Sequence, residues 1–203
     1  MLRAAVLAAG LSTRMGGRPK GLLPIDERDV FVTRIVRTFN EAGLLDVAVI
    51  VGHEADAVRA RVDASGLSAR TVLNPLYERG QLSSLHAAIA AVEQPGVEGV
   101  VLALVDAPLF SASTVRQLIE RFEETHAPVV RAVRGDEHGH PVILGRELFD
   151  RIRHADPSVG AKPIVRAHAS IAGDVTVDDA GAFQDIDTPE DYERLIGVLS
   201  PPA

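Results

Sequence analysis

The chain has 203 residues, of which 46% are hydrophobic and none is cysteine, and its formal net charge at pH 7 is −7. This length is enough for one α/β domain with a well-buried core. The acidic balance argues against a nucleic-acid-binding protein, which needs a basic face, and the lack of cysteine excludes a disulfide framework and a thiolate nucleophile. The apolar N-terminus is too short to span a membrane and runs straight into a polar loop, so we expect a cytoplasmic protein without a membrane segment.

The first predicted element is an apolar strand over residues 2–8, followed by a loop rich in glycine. The loop combines two kinds of residue, polar or cationic ones and glycines: Ser12, Thr13, Arg14 and Lys20 with Gly10, Gly16, Gly17 and Gly21. Glycines let backbone N–H groups approach an anion, and the two cations, which we expect to face solvent, supply positive charge. Such a loop predicts a polyphosphate site. It fits neither the dinucleotide fingerprint nor the P-loop, so a nicotinamide-dependent dehydrogenase is the weakest interpretation.

Apolar strands and amphipathic helices then alternate along the chain. Further strands are predicted at residues 46–51, 71–73, 100–105 and 128–133, and helices at residues 30–42, 54–63, 82–93 and 114–124. Ser111 and Ser113 are both candidate N-caps for the last of these helices. This alternation predicts a mostly parallel sheet between helices, with ligands bound beyond the carboxyl ends of the strands. The glycine-rich loop and Asp106 both fall at that edge.

The pattern changes after residue 133. Residues 134–139 are polar and rich in turn-forming residues, residues 140–145 predict a strand, and residues 146–154 and 160–168 predict short helices. An edge strand is expected at residues 175–177 and a closing helix at residues 189–199, with Thr188 as its N-cap. We interpret this part as the substrate-facing half of the same domain, because two separate cores would be crowded at this length.

Three aspartates are candidate metal ligands. Asp106 ends the most apolar strand, and a carboxylate that faces a polyphosphate loop suits Mg²⁺, which prefers one or two carboxylates together with phosphate oxygens. A cap for the following turn is the alternative role for this residue. In the later sequence DIDTPED, helix capping explains the last four residues but neither Asp185 nor Asp187. Of these two, we favour Asp187 as the ligand opposite Asp106.

Two histidines near an aspartate also suggest a metal site. The spacing of His138 and His140 places both rings on one face of a strand, with Asp136 close by in the sequence. No third ligand is evident, so a polar loop that leads into the strand at residues 140–145 is the preferred interpretation.

The segment LAAGLSTRMGGRPKGLLP, residues 7–24, resembles the signature of sugar-nucleotide and cofactor nucleotidyltransferases, L-A-A-G-x-S-x-R-M-G-x-x-K-x-L-L, with one extra residue before Lys20. The segments NPLYERGQLSSL, GHPV and DIDTPED resemble further motifs of this superfamily, in the same order. The chain thus resembles the molybdenum cofactor cytidylyltransferases and their relatives. The resemblance implies a Rossmann-like three-layer α/β fold with a mostly parallel mixed sheet. We expect a single domain over residues 1–203, with a nucleotide-binding half at residues 1–133 and an acceptor-side half at residues 134–203.

The resemblance also implies roles for individual residues. Arg14, Lys20 and Asp106 would carry catalysis, and Asp106 and Asp187 would bind Mg²⁺. The nucleotide would contact residues that follow the first and third strands: Ala8, Ala9, Gly10, Leu11, Ser12, Asn74, Gly80, Ser83 and Ser84. A simple helix entry with a serine cap is an equal alternative for each of the two later serines. Gly139, His140 and Pro141 are carried over as acceptor-side residues.

The expected reaction is transfer of a nucleoside monophosphate to a phosphorylated acceptor with release of pyrophosphate. The form Ala8-Ala9-Gly10 is more typical of pyrimidine users than of guanylyltransferases, which favours CTP. The implied acceptor is the pterin-type molybdenum cofactor, with a molybdenum hydroxylase apoenzyme as a partner. The alternatives are a sugar-1-phosphate or methylerythritol-phosphate nucleotidyltransferase, a guanylyltransferase of the molybdenum cofactor, and a non-catalytic cofactor-binding chaperone. The chaperone is disfavoured because a pure binder does not need the carboxylate of Asp106.

Overall fold

The computed structural model describes residues 1–15 and 18–199, with the backbone alone for residues 14, 198 and 199. These residues form seven strands: β1 (Leu2–Ala8), β2 (Val47–Val51), β3 (Ala69–Leu73), β4 (Gly99–Leu104), β5 (Val129–Arg134), β6 (Glu137–Gly145) and β7 (Asp174–Thr176). The strands make one mixed sheet in the order β3-β2-β1-β4-β6-β5-β7. Among the described strands, only β6 is antiparallel to its neighbours, which are β4 and β5.

Helices cover both faces of the sheet, so the fold has three layers. They are α1 (Phe31–Glu41), α2 (Ala55–Ala64), α3 (Gln81–Val92), α4 (Ala112–Thr125), α5 (Phe149–Arg153), α6 (Lys162–His168) and α7 (Pro189–Leu199). Helices α1, α2 and α4 pack on one face and α3, α5 and α6 on the other. Side chains of β1 alternate between these faces, as the two-residue period of a strand requires, and β2 is fully buried. The predicted fold class is confirmed.

The main departure from the predicted elements lies at the start of β6. Residues 134–139 are polar and rich in turn-forming residues, and the sequence predicts a strand only at residues 140–145, but the strand begins at Glu137, which pairs with Arg134 on β5. A two-residue turn suffices because Gly135 takes the left-handed conformation, with φ of 58°. Pairing across the hairpin therefore extends the strand into polar residues that lack the apolar pattern of a buried strand.

Side-chain hydrogen bonds cap the N-termini of helices α4 and α7. Ser111 is the N-cap of α4, and its hydroxyl accepts a hydrogen bond from the backbone N–H of Thr114. Thr188 and Asp191 bond reciprocally across the first turn of α7, each accepting from the other's backbone N–H. This is a capping box with aspartate in the third position.

Helix α7 packs against the loop that follows β1. Leu195 and Ile186 join Met15, Leu23 and Phe31 in a small apolar cluster separate from the two main faces. The hydroxyl of Tyr192 donates to the carbonyl oxygen of Pro24 over 2.8 Å. The C-terminal part of the chain is thereby brought beside the glycine-rich loop. None of the described helices is long and apolar enough to cross a membrane.

Candidate active site

A cleft of about 400 Å³ opens beyond the carboxyl ends of β1, β3 and β4. It is the edge at which open α/β sheets bind ligands. Its lining comes from the end of β1 and the loop after it, the segment after β3 and the end of β4, together with Asp187 from the C-terminal part of the chain. The first of these contributes Leu7 to Thr13 and Pro19 to Gly21, the second contributes Tyr77, Glu78, Gly80, Gln81 and Ser84, and the end of β4 contributes Leu104 to Asp106. The cleft therefore gathers most of the residues predicted from the sequence to contact a nucleotide.

The loop after β1 is closed by Ser12. Its hydroxyl oxygen accepts from the backbone N–H of Lys20 over 3.0 Å, and its carbonyl oxygen accepts from the N–H of Met15 over 2.9 Å. Ser12 has a φ of 49°, the left-handed region that non-glycine residues seldom adopt. The hydroxyl thus has a structural role in holding Lys20, in addition to the contact with the nucleotide expected from the sequence. The Arg14 side chain, Gly16 and Gly17 lie outside the described residues.

Lys20 is the central cation of the cleft. Its ammonium nitrogen lies 2.5 Å from Asp187 Oδ1 and 3.5 Å from Asp106 Oδ2. The lysine side chain is only 10% exposed, so the expectation that it faces solvent is wrong. Removing an ammonium from water is costly unless it is paired, and the two carboxylates supply that pairing.

One carboxylate oxygen of Asp106, Oδ1, is buried and has no hydrogen-bond partner among the described residues. Since Ser111 caps α4, and the only described side-chain partner of Asp106 is Lys20, the alternative of a turn cap gains no support. The segment DIDTPED reaches this position because the N–H of Ile186 donates to the carbonyl oxygen of Asp106 over 2.7 Å.

The described residues offer few candidate metal ligands in the cleft. Across residues 1–15 and 18–199, no group of three or more histidines, aspartates or glutamates is arranged to hold a metal ion. Asp106 and Asp187, joined through Lys20, are a pair of carboxylates beside a cleft. Such a pair suits Mg²⁺ that is also coordinated by phosphate oxygens.

Asn74 lies behind the cleft instead of lining it. The residue is 3% exposed. Its side-chain amide donates to the hydroxyls of Ser83 and Ser84 over 2.9 and 3.1 Å, and its side-chain carbonyl oxygen accepts from the N–H of Leu76. Ser83 donates to the carbonyl oxygens of Leu76 and Gly80. Asn74 and Ser83 therefore fix the loop, while Gly80 and Ser84 line the cleft.

Three cleft residues near Gly80 were not identified from the sequence, namely Tyr77, Glu78 and Gln81. Tyr77 packs over the end of β2 at Gly52, where an added Cβ would lie 2.5 Å from the Cβ of the tyrosine. The polar run between Asn74 and Gly80 was the available signal. It could not show which of its side chains turn inward.

The predicted acceptor-side residues lie on β6, beside β4. Gly139, His140 and Pro141 do not line the cleft, and the peptide bond between the last two is cis. The Nδ1 atom of His140 is buried without a hydrogen-bond partner among the described residues. Burial lowers the pKa of His140, and the negative charges of Asp185 and Asp106 oppose that shift. His138 is exposed, so the two rings lie in different environments.

The fold and the cleft define the class of protein. A three-layer α/β fold whose sheet has a glycine-rich loop, a lysine and two aspartates at its carboxyl edge is the arrangement of a nucleotidyltransferase. The chain matches the MobA-like NTP transferase domain over residues 4–171 and belongs to this family. The family, the enzyme class and the fold predicted from the sequence are confirmed.

Several known proteins are similar over nearly the whole chain. Nicotine blue oxidoreductase from Paenarthrobacter nicotinovorans is 28% identical and is covered over 94% of each chain. The crystal structure of Rv0371c from Mycobacterium tuberculosis H37Rv has a TM-score of 0.80 at 30% identity, over 96% of both chains. That protein has also been crystallised in complex with manganese, with a TM-score of 0.75 at 28% identity, over 96% of this chain and 97% of that one.

A further relative is larger. The bifunctional IPC transferase and DIPP synthase from Rubrobacter xylanophilus is 32% identical over 93% of this chain. The chain spans about half the length of that protein, 50%.

Proposed function

We propose that this nucleotidyltransferase transfers a nucleoside monophosphate, CMP from CTP, to the terminal phosphate of a pterin-type molybdenum cofactor. The observation that carries the proposal is Lys20, held between Asp106 and Asp187 at 3.5 and 2.5 Å in a cleft of about 400 Å³. Residues 1–133 would bind the nucleotide and residues 134–203 the acceptor, and the product would pass to a molybdenum hydroxylase apoenzyme. The form Ala8-Ala9-Gly10 supports CTP.

The carboxylates of the cleft fit a divalent metal ion, which we propose is Mg²⁺. Asp106 Oδ1 is buried without a partner among the described residues, which is a costly state for a carboxylate oxygen unless a ligand completes it. Asp106 and Asp187 would hold the ion, and a manganese complex of the similar Rv0371c supports this assignment. When bound, Mg²⁺ neutralises charge on phosphate oxygens.

The residues of the chain would act through position and charge. An oxygen of the acceptor phosphate attacks the α-phosphorus of CTP, the bond between that phosphorus and the bridging oxygen breaks, and pyrophosphate leaves with the electron pair. No nucleophile of the protein is required. Lys20 and Arg14 would stabilise charge on the phosphates, while Gly80 and Ser84 would orient the nucleoside at the start of α3.

Pyrophosphate release tests this proposal. ATP, CTP, GTP and UTP would each be offered with the molybdenum cofactor, a sugar 1-phosphate and methylerythritol phosphate, with Lys20→Ala as the control. We expect release with CTP and the cofactor. Release with GTP in place of CTP would overturn the proposed nucleotide. Release with a different acceptor and not with the cofactor would overturn the proposed acceptor.

One of the similar proteins is named as an oxidoreductase, so a reduction is the activity to be tested against nucleotidyl transfer. Consumption of reduced nicotinamide cofactor is therefore measured beside pyrophosphate. Such consumption, with no pyrophosphate from any pair of substrates, would overturn the proposed transfer.

A further inference from the structure

The segment between β7 and α7 crosses the molecule to reach the cleft. We call residues 179–187 the strap. At its start, the Asp179 carboxylate accepts three hydrogen bonds: from the N–H of Ser111 over 2.8 Å, from the hydroxyl of Thr114 over 2.5 Å and from the N–H of Gly181 over 3.1 Å. Thr114 is 1% exposed, so the Asp179 carboxylate is bonded to a buried residue of α4.

The middle of the strap packs closely against the backbone of two neighbouring segments. A Cβ added at Gly181 would overlap the carbonyl oxygen of Leu109, and one added at Gly139 on β6 would overlap the carbonyl oxygen of Ala182. Both obstructing atoms belong to the backbone, which cannot rotate away as a side chain does. The strap therefore lies pressed between the segment before α4 and the strand β6, and this packing gives Gly139 a role other than acceptor binding.

The end of the strap is joined to Asp106. Ile186 is fully buried, and its N–H donates to the Asp106 carbonyl oxygen over 2.7 Å; Asp187 follows at once and contacts Lys20. Both ends of the strap are thus attached to residues 106–114, the segment that carries Asp106.

We propose that Asp179 is a positioning residue that sets the place of Asp187 relative to Asp106. Gly181 in the strap and Gly139 on β6 allow the close packing that fixes the course of the strap from Asp179 to Asp187. Asp179 does not line the cleft, so it acts through the strap. The inference rests on the proposed function, because it concerns the carboxylates assigned there to the metal ion. Loss of a group that hydrogen-bonds a metal ligand directly costs roughly tenfold to a hundredfold in metal affinity. Asp179 bonds Ser111, Thr114 and Gly181 and not the two carboxylates themselves, so we expect an effect at the lower end of that range.

The test compares Asp179→Asn with Asp174→Asn. Asp174 lies on β7 just before the strap, and its carboxylate accepts from Arg131 on β5 over 2.8 Å, so its loss weakens the same part of the chain without touching the strap. Thr114→Val removes one donor to Asp179 and is the second variant, which remains informative should Asp179→Asn fail to fold. Each protein is assayed for binding of Mn²⁺ beside a non-hydrolysable CTP analogue, for the Mg²⁺ dependence of pyrophosphate release and for unfolding in urea.

We expect Asp179→Asn and Thr114→Val to bind Mn²⁺ more weakly, by roughly tenfold for the first, with turnover restored at high Mg²⁺. Asp174→Asn should lose stability and keep the affinity of wild type. Wild-type affinity in folded Asp179→Asn, or in Thr114→Val if that protein alone folds, would overturn the inference. If the wild type binds Mn²⁺ with the analogue but releases no pyrophosphate with any acceptor, the proposed function fails alone. If it binds no Mn²⁺, the inference fails with the metal assignment.

Discussion

The backbone N–H of Ile186 donates to the carbonyl oxygen of Asp106 over 2.7 Å. This bond joins the last part of the chain to the end of the central strand β4, and it brings Asp187 to the same ammonium group that Asp106 contacts. Lys20 comes from a third segment, the loop after β1. The candidate site is therefore an assembly of three distant pieces of sequence, and each can be tested separately.

The first prediction concerns Lys20. Lys20→Ala should lower turnover by about a hundredfold or more, since a charge-assisted contact to a transition state is worth about 3 kcal/mol. The free energy of unfolding should also fall, because two carboxylates then face each other without their shared cation. Added Mg²⁺ should recover part of that stability. Turnover equal to wild type at saturating CTP would contradict the role of the lysine.

Asn74 provides a second prediction. Asn74→Ala removes the donor to Ser83 and Ser84 and the acceptor of Leu76, so the loop that carries Gly80 loses its buried support. We expect a loss of about 1 to 3 kcal/mol in stability and a raised KM for the nucleotide. Ser83→Ala keeps the asparagine and should have a smaller effect. The two variants are compared by urea unfolding and by nucleotide titration; an unchanged KM in Asn74→Ala would show that the loop needs no such support.

The third prediction concerns the base. Ala9 is 2% exposed and lines the cleft near Gly52 and Tyr77. Ala9→Gly removes a β-carbon and should relax the preference for CTP over GTP by a modest factor. Ala5→Gly is the matched control, because Ala5 lies on the same face of the sheet as Ala9 but does not line the cleft. The ratio of kcat/KM for the two nucleotides measures the effect. A wild-type enzyme that already prefers GTP would contradict the assignment of a pyrimidine.

His140 gives a prediction about pH. Burial lowers its pKa below the ordinary 6.5, so the folded protein holds the ring neutral more strongly than the unfolded chain does. Its contribution to stability is complete above pH 6.5 and is lost as the pH falls from there towards the lower pKa of the folded state. His140→Gln should unfold with a smaller change between pH 7.5 and 5.5 than wild type, as measured in urea. Equal changes in the two proteins would argue against a buried neutral histidine.

The order of strands and helices could be predicted from the sequence because apolar periodicity reports burial directly. The start of β6 at Glu137 could not, since its residues are polar and are held by pairing with β5. The sequence does not predict the burial of Lys20, for a related reason. A charged residue in a glycine-rich loop indicates exposure, and only the convergence of Asp106 and Asp187 makes a sheltered position tolerable.

The roles within the candidate site divide in a similar way. Sequence resemblance selected Asn74, Ser83, Gly80 and Ser84 as a group, but only the hydrogen bonds separate the residues that support the loop from those that line the cleft. Residues 24–29, which join the glycine-rich loop to α1, contain a contact that the sequence does not predict. Asp29 is 2% exposed and is bound twice by Arg37 from α1, a contact between a loop and a helix that follows no local spacing rule.

The Mg²⁺ dependence of pyrophosphate release in Asp106→Asn tests the central claim most directly. The substitution keeps the size of the side chain and caps a helix or turn about as well as aspartate does, but it removes the charge assigned to the metal ion. We predict almost no pyrophosphate release at any Mg²⁺ concentration, measurable CTP binding, and a similar but smaller defect in Asp187→Asn. Release by Asp106→Asn at the wild-type rate, with the wild-type dependence on Mg²⁺, would contradict the account.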